Sequence, residues 1–273
     1  MKGRRPAGRL PDPPELPESA RPPWPAWYAP VALLGSFAAI IAASFPLLPV
    51  LIVLGISDAL AGIALLVVLL VQDGLLVGAA LLFASFKRRP RPWHFGVRAT
   101  RLWPTVGWAA LGLGLMLGFE LAYIELLGVD ETNVEDVGEG NTIAAVAVAL
   151  AVIVVAPVAE EFFFRGFFYR ALRTRLPIWS AALIDGAVFG ALHFQGTDTA
   201  IILPIITVFG VGQCLVYERT GSLFAVIAIH AAFNTFATLG ISPVPAIVVG
   251  ALVILGCGLT PRQFGRWPTP LPA

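Results

Sequence analysis

Apolar runs long enough to cross a bilayer recur along this chain, with most of the charge confined to the loops between them. A helix needs about 20 mostly apolar residues to span the hydrocarbon core, and run after run here meets that length. Hydrophobic residues make up 58% of the 273, charged residues only 13%, and the mean hydropathy is +0.83. Soluble domains do not look like this. The expected fold class is all-α: a polytopic membrane helix bundle.

Hydropathy divides the chain into about eight transmembrane helices, near residues 31–54, 60–86, 103–127, 142–169, 178–194, 200–217, 223–239 and 244–259. Pro46 and Pro49 are expected to kink the first or end it early. All 18 Lys and Arg fall in the N-terminal tail, in alternate loops or in the span ends beside them. The intervening loops carry none, and the longest of these is acidic, with Asp130, Glu131, Glu135, Asp136 and Glu139. By the positive-inside rule both termini are cytoplasmic and the span count is even. The organisation expected is a disordered Pro/Arg-rich tail (1–26), three N-terminal spans (27–141), a core (142–240), and a last span with a short tail (241–273). High Ala, Gly, Pro and Arg usage points to a bacterial source, and so to the inner membrane.

A net charge of +1 offers no basic face for phosphates, which excludes nucleic acid as a partner. Cys214 and Cys257 both lie in apolar runs outside any CxxC pattern. They make neither a disulfide framework nor a thiolate zinc site.

Within the fourth run stand Glu160, Glu161 and Arg165. A charge in hydrocarbon costs roughly 2.5–3.5 kcal/mol on insertion scales, so such groups are paired or used. Glu161 and Arg165 have the i,i+4 spacing and order that favour an ion pair. Glu160 points about 100° round the helix and is free to face something else. His193 and His230 are also intramembrane, each one helical turn from a second motif residue: Phe189 before the first, Asn234 after the other. Glu160 and His193 flank the turn near Leu176-Pro177 at about 16 residues, or roughly 24 Å along each helix. They are therefore level across a hairpin, in the cytoplasmic half of the bilayer, and His230 reaches a similar depth. His94, in the arginine-rich loop, reads as a solvated interfacial residue.

Glu160-Glu161-x-x-x-Arg165, then Phe189-x-x-x-His193, then His230-x-x-x-Asn234 resembles the three-motif signature of the CPBP family (CAAX prenyl endopeptidase and bacteriocin-processing, Abi-type intramembrane proteases). The resemblance covers about residues 142–240. It implies an endopeptidase in which Glu160 with His193 activates water, while His230 and Asn234 donate to the developing oxyanion. Glu161 with Arg165 would hold the motif helix, or Glu161 would share in catalysis directly. Phe189 is the candidate substrate-binding residue. The implied partner is a peptide or protein substrate at the membrane, lipidated or not. No cofactor is favoured; the alternative is zinc on Glu160, His193 and His230. Against zinc stand the lack of an HExxH pattern and the weakness of Asn234 as a ligand.

Asp73 and Asp185 are further intramembrane acids, readable as packing or wet-cleft residues, Asp185 also as a wall of the same cavity. The Phe162–Phe168 aromatics read as core or lipid contact, with a wall for an apolar substrate group as the functional alternative. Two rival functions remain: an immunity or secretion-accessory protein of the same family with little peptidase activity, and a proton-coupled transporter. The second should show repeated spans with broken helices, and no such repeat is visible.

Overall fold

The computed structural model describes residues 22–53, 58–97, 102–128, 146, 149–194 and 196–239. These residues are helical with no strand among them, as a polytopic membrane bundle requires. The helices are α1 (Tyr28–Val53), α2 (Asp58–Ser85), α3 (Leu102–Leu127), α4 (151–173), α5 (Ile178–Leu192), α6 (Leu203–Thr220) and α7 (Leu223–Leu239). Short 3-10 turns lie at Pro92–Phe95 and Thr197–Ile202. The expected eighth span, the acidic loop and the tail before residue 22 lie outside the described residues.

Four helical stretches are long and apolar enough to cross a membrane: Tyr28–Pro46, Leu66–Ser85, Trp103–Leu127 and Thr199–Thr220. Large apolar side chains such as Leu34, Phe45, Leu115 and Leu126 are exposed along α1 and α3. That surface suits lipid, which has no use for polar groups. The chain is an integral membrane protein. α1 runs on through Pro46 and Pro49, contrary to the expectation of an early end. Proline removes one backbone bond, but leaving helix altogether inside lipid would free several polar groups at greater cost.

α4 is not uniform. It runs as a π-helix over Ala151–Val155, an α-helix over Ala156–Glu161, a second π-helix over Phe162–Tyr169, and a final α-turn. The motif carboxylates therefore sit on a short α-helical island between two widened stretches, which hydropathy had no means of showing. π-turns recur at functional sites because they loosen the regular backbone ladder. The phenylalanines at 163, 164, 167 and 168 are all buried, which settles them as core.

The loop before α3 is seated on α4. Trp24, almost fully buried, stacks on Phe95 and Phe167 and donates its indole N–H to the Phe167 carbonyl at 3.4 Å. His94 is buried beside it, not solvated as its arginine-rich surroundings suggest. Its Nδ1 accepts the Arg91 backbone N–H at 3.0 Å, so hydrogen bonding within the turn compensates the burial. Tyr217 donates to the Phe95 carbonyl at 2.9 Å, and Arg170 donates to the Tyr217 hydroxyl at 3.2 Å. Gly96 turns the chain with φ +87, and its carbonyl accepts the Leu223 N–H at 2.9 Å. At the turn between α4 and α5, Arg173 pairs with Glu218 at 2.8 Å, and Tyr169 donates to the same carboxylate at 3.0 Å.

α5 and α6 are the most closely packed pair, and glycine makes this possible. A Cβ at Gly186 would lie 2.7 Å from the Val211 nitrogen and 2.8 Å from the Thr207 carbonyl; one at Gly210 would lie 2.8 Å from the Gly186 Cα. Small residues let membrane helices approach to backbone contact. Gly186→Ala is expected to force the pair apart and cost about 1–3 kcal/mol. Gly78→Ala in α2, where a Cβ meets nothing within 4 Å, should be neutral or slightly stabilising. Thermal unfolding of both variants in detergent checks the contrast.

Candidate active site

The polar residues singled out from the sequence converge where α4, α5, α6 and α7 meet. Arg165, on the second π-helical stretch, is the centre. Its Nη1 donates to Glu161 Oε1 at 2.9 Å, its Nη2 to the Gly210 carbonyl at 2.9 Å, and its Nε lies 3.6 Å from Asp185 Oδ1. The last distance is a charge contact, too long for a hydrogen bond. The guanidinium also lies over the Phe189 ring, 4.5 Å from its centroid. Arg165, Glu161 and Asp185 are completely buried. In such surroundings a carboxylate needs a cation or several hydrogen bonds to stay dissolved in the protein.

Glu161 is engaged through one oxygen, its Oε2 making no hydrogen bond within the protein. Its Oε1 also faces His230 Nδ1 at 2.8 Å and Gln213 Nε2 at 3.4 Å, and Gln213 donates as well to the Val226 carbonyl at 2.9 Å. A carboxylate accepts, so Nδ1 is the protonated nitrogen of His230. Its Nε2 then points to Glu160 Oε2, 3.8 Å away.

Glu160 differs from its neighbour. It is partly exposed, with 19% of its side-chain surface open, and its Oε2 makes no hydrogen bond within the protein. One of two adjacent carboxylates is bound into the structure and the other is left available.

His193 sits just beyond the end of α5, not within the helix as the hydropathy run suggested. Its ring still rests on Phe189, with centroids 4.7 Å apart, and its Nδ1 lies 2.8 Å from the Phe189 carbonyl. The carbonyl can only accept, which fixes the Nδ1–H tautomer and leaves Nε2 with a free lone pair. His193 is not hydrogen-bonded to Glu160. Phe189 stands between the two histidines, 5.8 Å from the His230 ring and 1% exposed. It packs against Arg165, the two imidazole rings, Phe164 and Phe209. Asn234 donates Nδ2 to the Val152 carbonyl at 2.8 Å. Val152 lies in the first π-helical stretch, where widened turns leave carbonyls free to accept from outside. The Asn234 amide has a second N–H still to give.

Sequence reading missed one member of this cluster and left another open. Gln213 joins Glu161 to the α7 backbone, and nothing in its local pattern marks it. Asp185, two i,i+4 steps before His193, is readable from the sequence as a wall of the same cavity or as a packing or wet-cleft residue; the structure makes it a second carboxylate on Arg165. Cys214 donates to Asp185 Oδ1 at 3.1 Å.

Zinc does not fit the donors as they stand. Among the described residues no three His, Cys, Asp or Glu side chains are grouped to hold a metal ion. Phe189 holds the two imidazoles apart, and no step is assigned to a metal.

Residues 142–236 match the family model described as Rce1-like, Type II CAAX prenyl endopeptidase Rce1-like. The matched segment contains all three motifs and most of the cluster. No curated protein and no solved structure matches the chain. The Rce1-like family is one of membrane proteases, and the resemblance noted from the motifs is to the same family.

The two glutamates should separate cleanly in a stability measurement. Arg165→Met leaves buried carboxylates unpaired and is expected to cost about 3–5 kcal/mol. Glu160→Gln, which breaks no hydrogen bond within the protein, should leave thermal stability unchanged or raise it. Melting curves in one detergent decide.

Proposed function

We propose that this protein is an intramembrane endopeptidase of the CAAX-protease type that hydrolyses a peptide bond with a water activated by Glu160 and His193. One observation carries this reading: Glu160 keeps 19% of its side chain open and its Oε2 makes no hydrogen bond, beside a Glu161 that is completely buried and ion-paired to Arg165. Glu161 and Asp185 also keep one oxygen without a hydrogen bond, but both are sealed from the surface and paired with Arg165, whereas Glu160 is open to a reactant, as a working carboxylate must be.

In this mechanism Glu160 removes a proton from water, and the bare Nε2 of His193 accepts from the same water and holds it. The water oxygen attacks the scissile carbonyl carbon. The proton taken by Glu160 passes to His230 Nε2, and the resulting imidazolium is stabilised through Nδ1–H by Glu161. This is the part a buried carboxylate plays toward the histidine of a serine protease triad. His230 and the second N–H of Asn234 then donate to the tetrahedral oxyanion. Collapse breaks the C–N bond, and the proton returns to the leaving amine. Phe189 keeps the two imidazoles at their spacing.

The shortness of α5 supports a reaction within the membrane. Its 15 residues rise about 22 Å, less than the roughly 30 Å hydrocarbon core. If the arginine-bearing turn before α5 projects into the cytoplasm by about two helical turns, roughly 11 Å, His193 at the other end lies about 11 Å deep, in the cytoplasmic half. The substrate class is a membrane-bound peptide or protein, and the setting a bacterial inner membrane.

Purified protein is expected to cleave a membrane-embedded reporter peptide. Glu160→Gln and His193→Ala should each reduce the rate by about 10²-fold or more; cleavage that persists in Glu160→Gln refutes the assignment. Strong chelation should leave activity intact, and a loss restored by zinc would overturn the metal-free mechanism.

A further inference from the structure

One guanidinium serves two carboxylates at the centre of this cluster. Glu161 and Asp185 are both completely buried, and among the described residues Arg165 is the only Lys or Arg within ion-pair distance of either. The charge is divided by geometry: Nη1 is directed to Glu161 at 2.9 Å, and the Nε edge to Asp185 at 3.6 Å. Asp185 is held for this contact by the Cys214 thiol at 3.1 Å. Each carboxylate therefore receives less than a full positive charge. At Glu161 the shortfall is met by the Nδ1–H of His230 at 2.8 Å. That bond sets which way the imidazole faces.

We propose that Asp185 is a positioning residue of the site: by drawing off part of the charge of Arg165 it leaves Glu161 to hold the Nδ1–H of His230, which keeps the ring's Nε2 toward Glu160. The inference rests on the reading of Glu160 and His230 as working groups, and it adds a residue outside the three motifs. Asp185 touches none of the reacting groups; it acts through Arg165 and Glu161. The relay joins α5, which ends just before His193, to α4 and α7, so the same ion also relates the two histidines.

The chain has three histidines, so the intact protein labelled with 15N-histidine in detergent gives three ring systems, assignable by replacing each in turn. In the wild type, His230 should show a protonated Nδ1 and an unprotonated Nε2. In Asp185→Asn the whole charge of Arg165 falls to Glu161, which then binds the imidazole less strongly. The His230 Nδ1–H proton resonance should move upfield. Cys214→Ala acts in the opposite sense: Asp185, having lost a donor, draws more on Arg165, and the same resonance should move downfield. His193, whose Nδ1–H is given to a backbone carbonyl, should be unmoved in both.

On the reporter peptide, Asp185→Asn should lower kcat about tenfold, the effect of weakening one charge-assisted hydrogen bond, with KM nearly unchanged. Asp185→Glu should restore part of the loss. Unmoved His230 signals in the two variants, shifts of the same sign, or a wild-type kcat in Asp185→Asn would overturn the proposal. If Asp185→Asn does not fold, the Cys214→Ala shift decides. If the wild type cleaves nothing, the protease reading falls alone and the ring signals still judge Asp185.

Discussion

A single buried guanidinium holds this structure to one arrangement. Arg165 leaves α4, pairs along its own helix with Glu161, reaches α5 at Asp185, and gives its remaining arm to a carbonyl of α6. Through Glu161 it also engages His230 on α7. Apolar packing between membrane helices is weakly directional, since lipid tails are as apolar as leucine. An ion with fixed donor directions supplies the register that such packing lacks. The close approach of Gly186 and Gly210 is part of the same construction, because it brings the Gly210 carbonyl within reach of the ion.

That cost of burying charge also explains why the adjacent carboxylates differ. Glu161 gathers an arginine, a histidine and a glutamine on its Oε1. Glu160, about 100° away on the same helix, turns out of that network toward the Nε2 edge of His230. The α-helical island between two π-helical stretches holds the two side chains in these different directions. The widened turns on either side engage other parts of the chain, Asn234 at Val152 and Trp24 at Phe167.

Much of this was legible in the sequence. Apolar run lengths gave the class of fold and approximate bounds for six of the seven described helices. The i,i+4 spacings brought out Glu161 with Arg165 and both histidine motifs, because such spacing is a local property of a helix. What could not be read has physical reasons. A proline inside a span is read from soluble rules as a break, yet lipid penalises the break more than the bend. His94 lies among arginines, and only the tertiary seat under Trp24 buries it. The π-turns depend on partners far along the chain. Asp185 and Gln213 owe their roles to contacts 20 and 52 residues away in sequence, which no local pattern encodes.

Trp24 has a practical consequence for how this protein can be handled. It precedes the first helix, in a short segment that invites trimming, yet its indole is wedged between two phenylalanine rings and bonded to the helix that carries the reactive carboxylates. A chain shortened to the start of α1 would have an indole-sized hole beneath that helix. The natural boundary of the folded unit is therefore upstream of its first membrane helix, and expression variants or fusions should leave residues from 22 onward untouched.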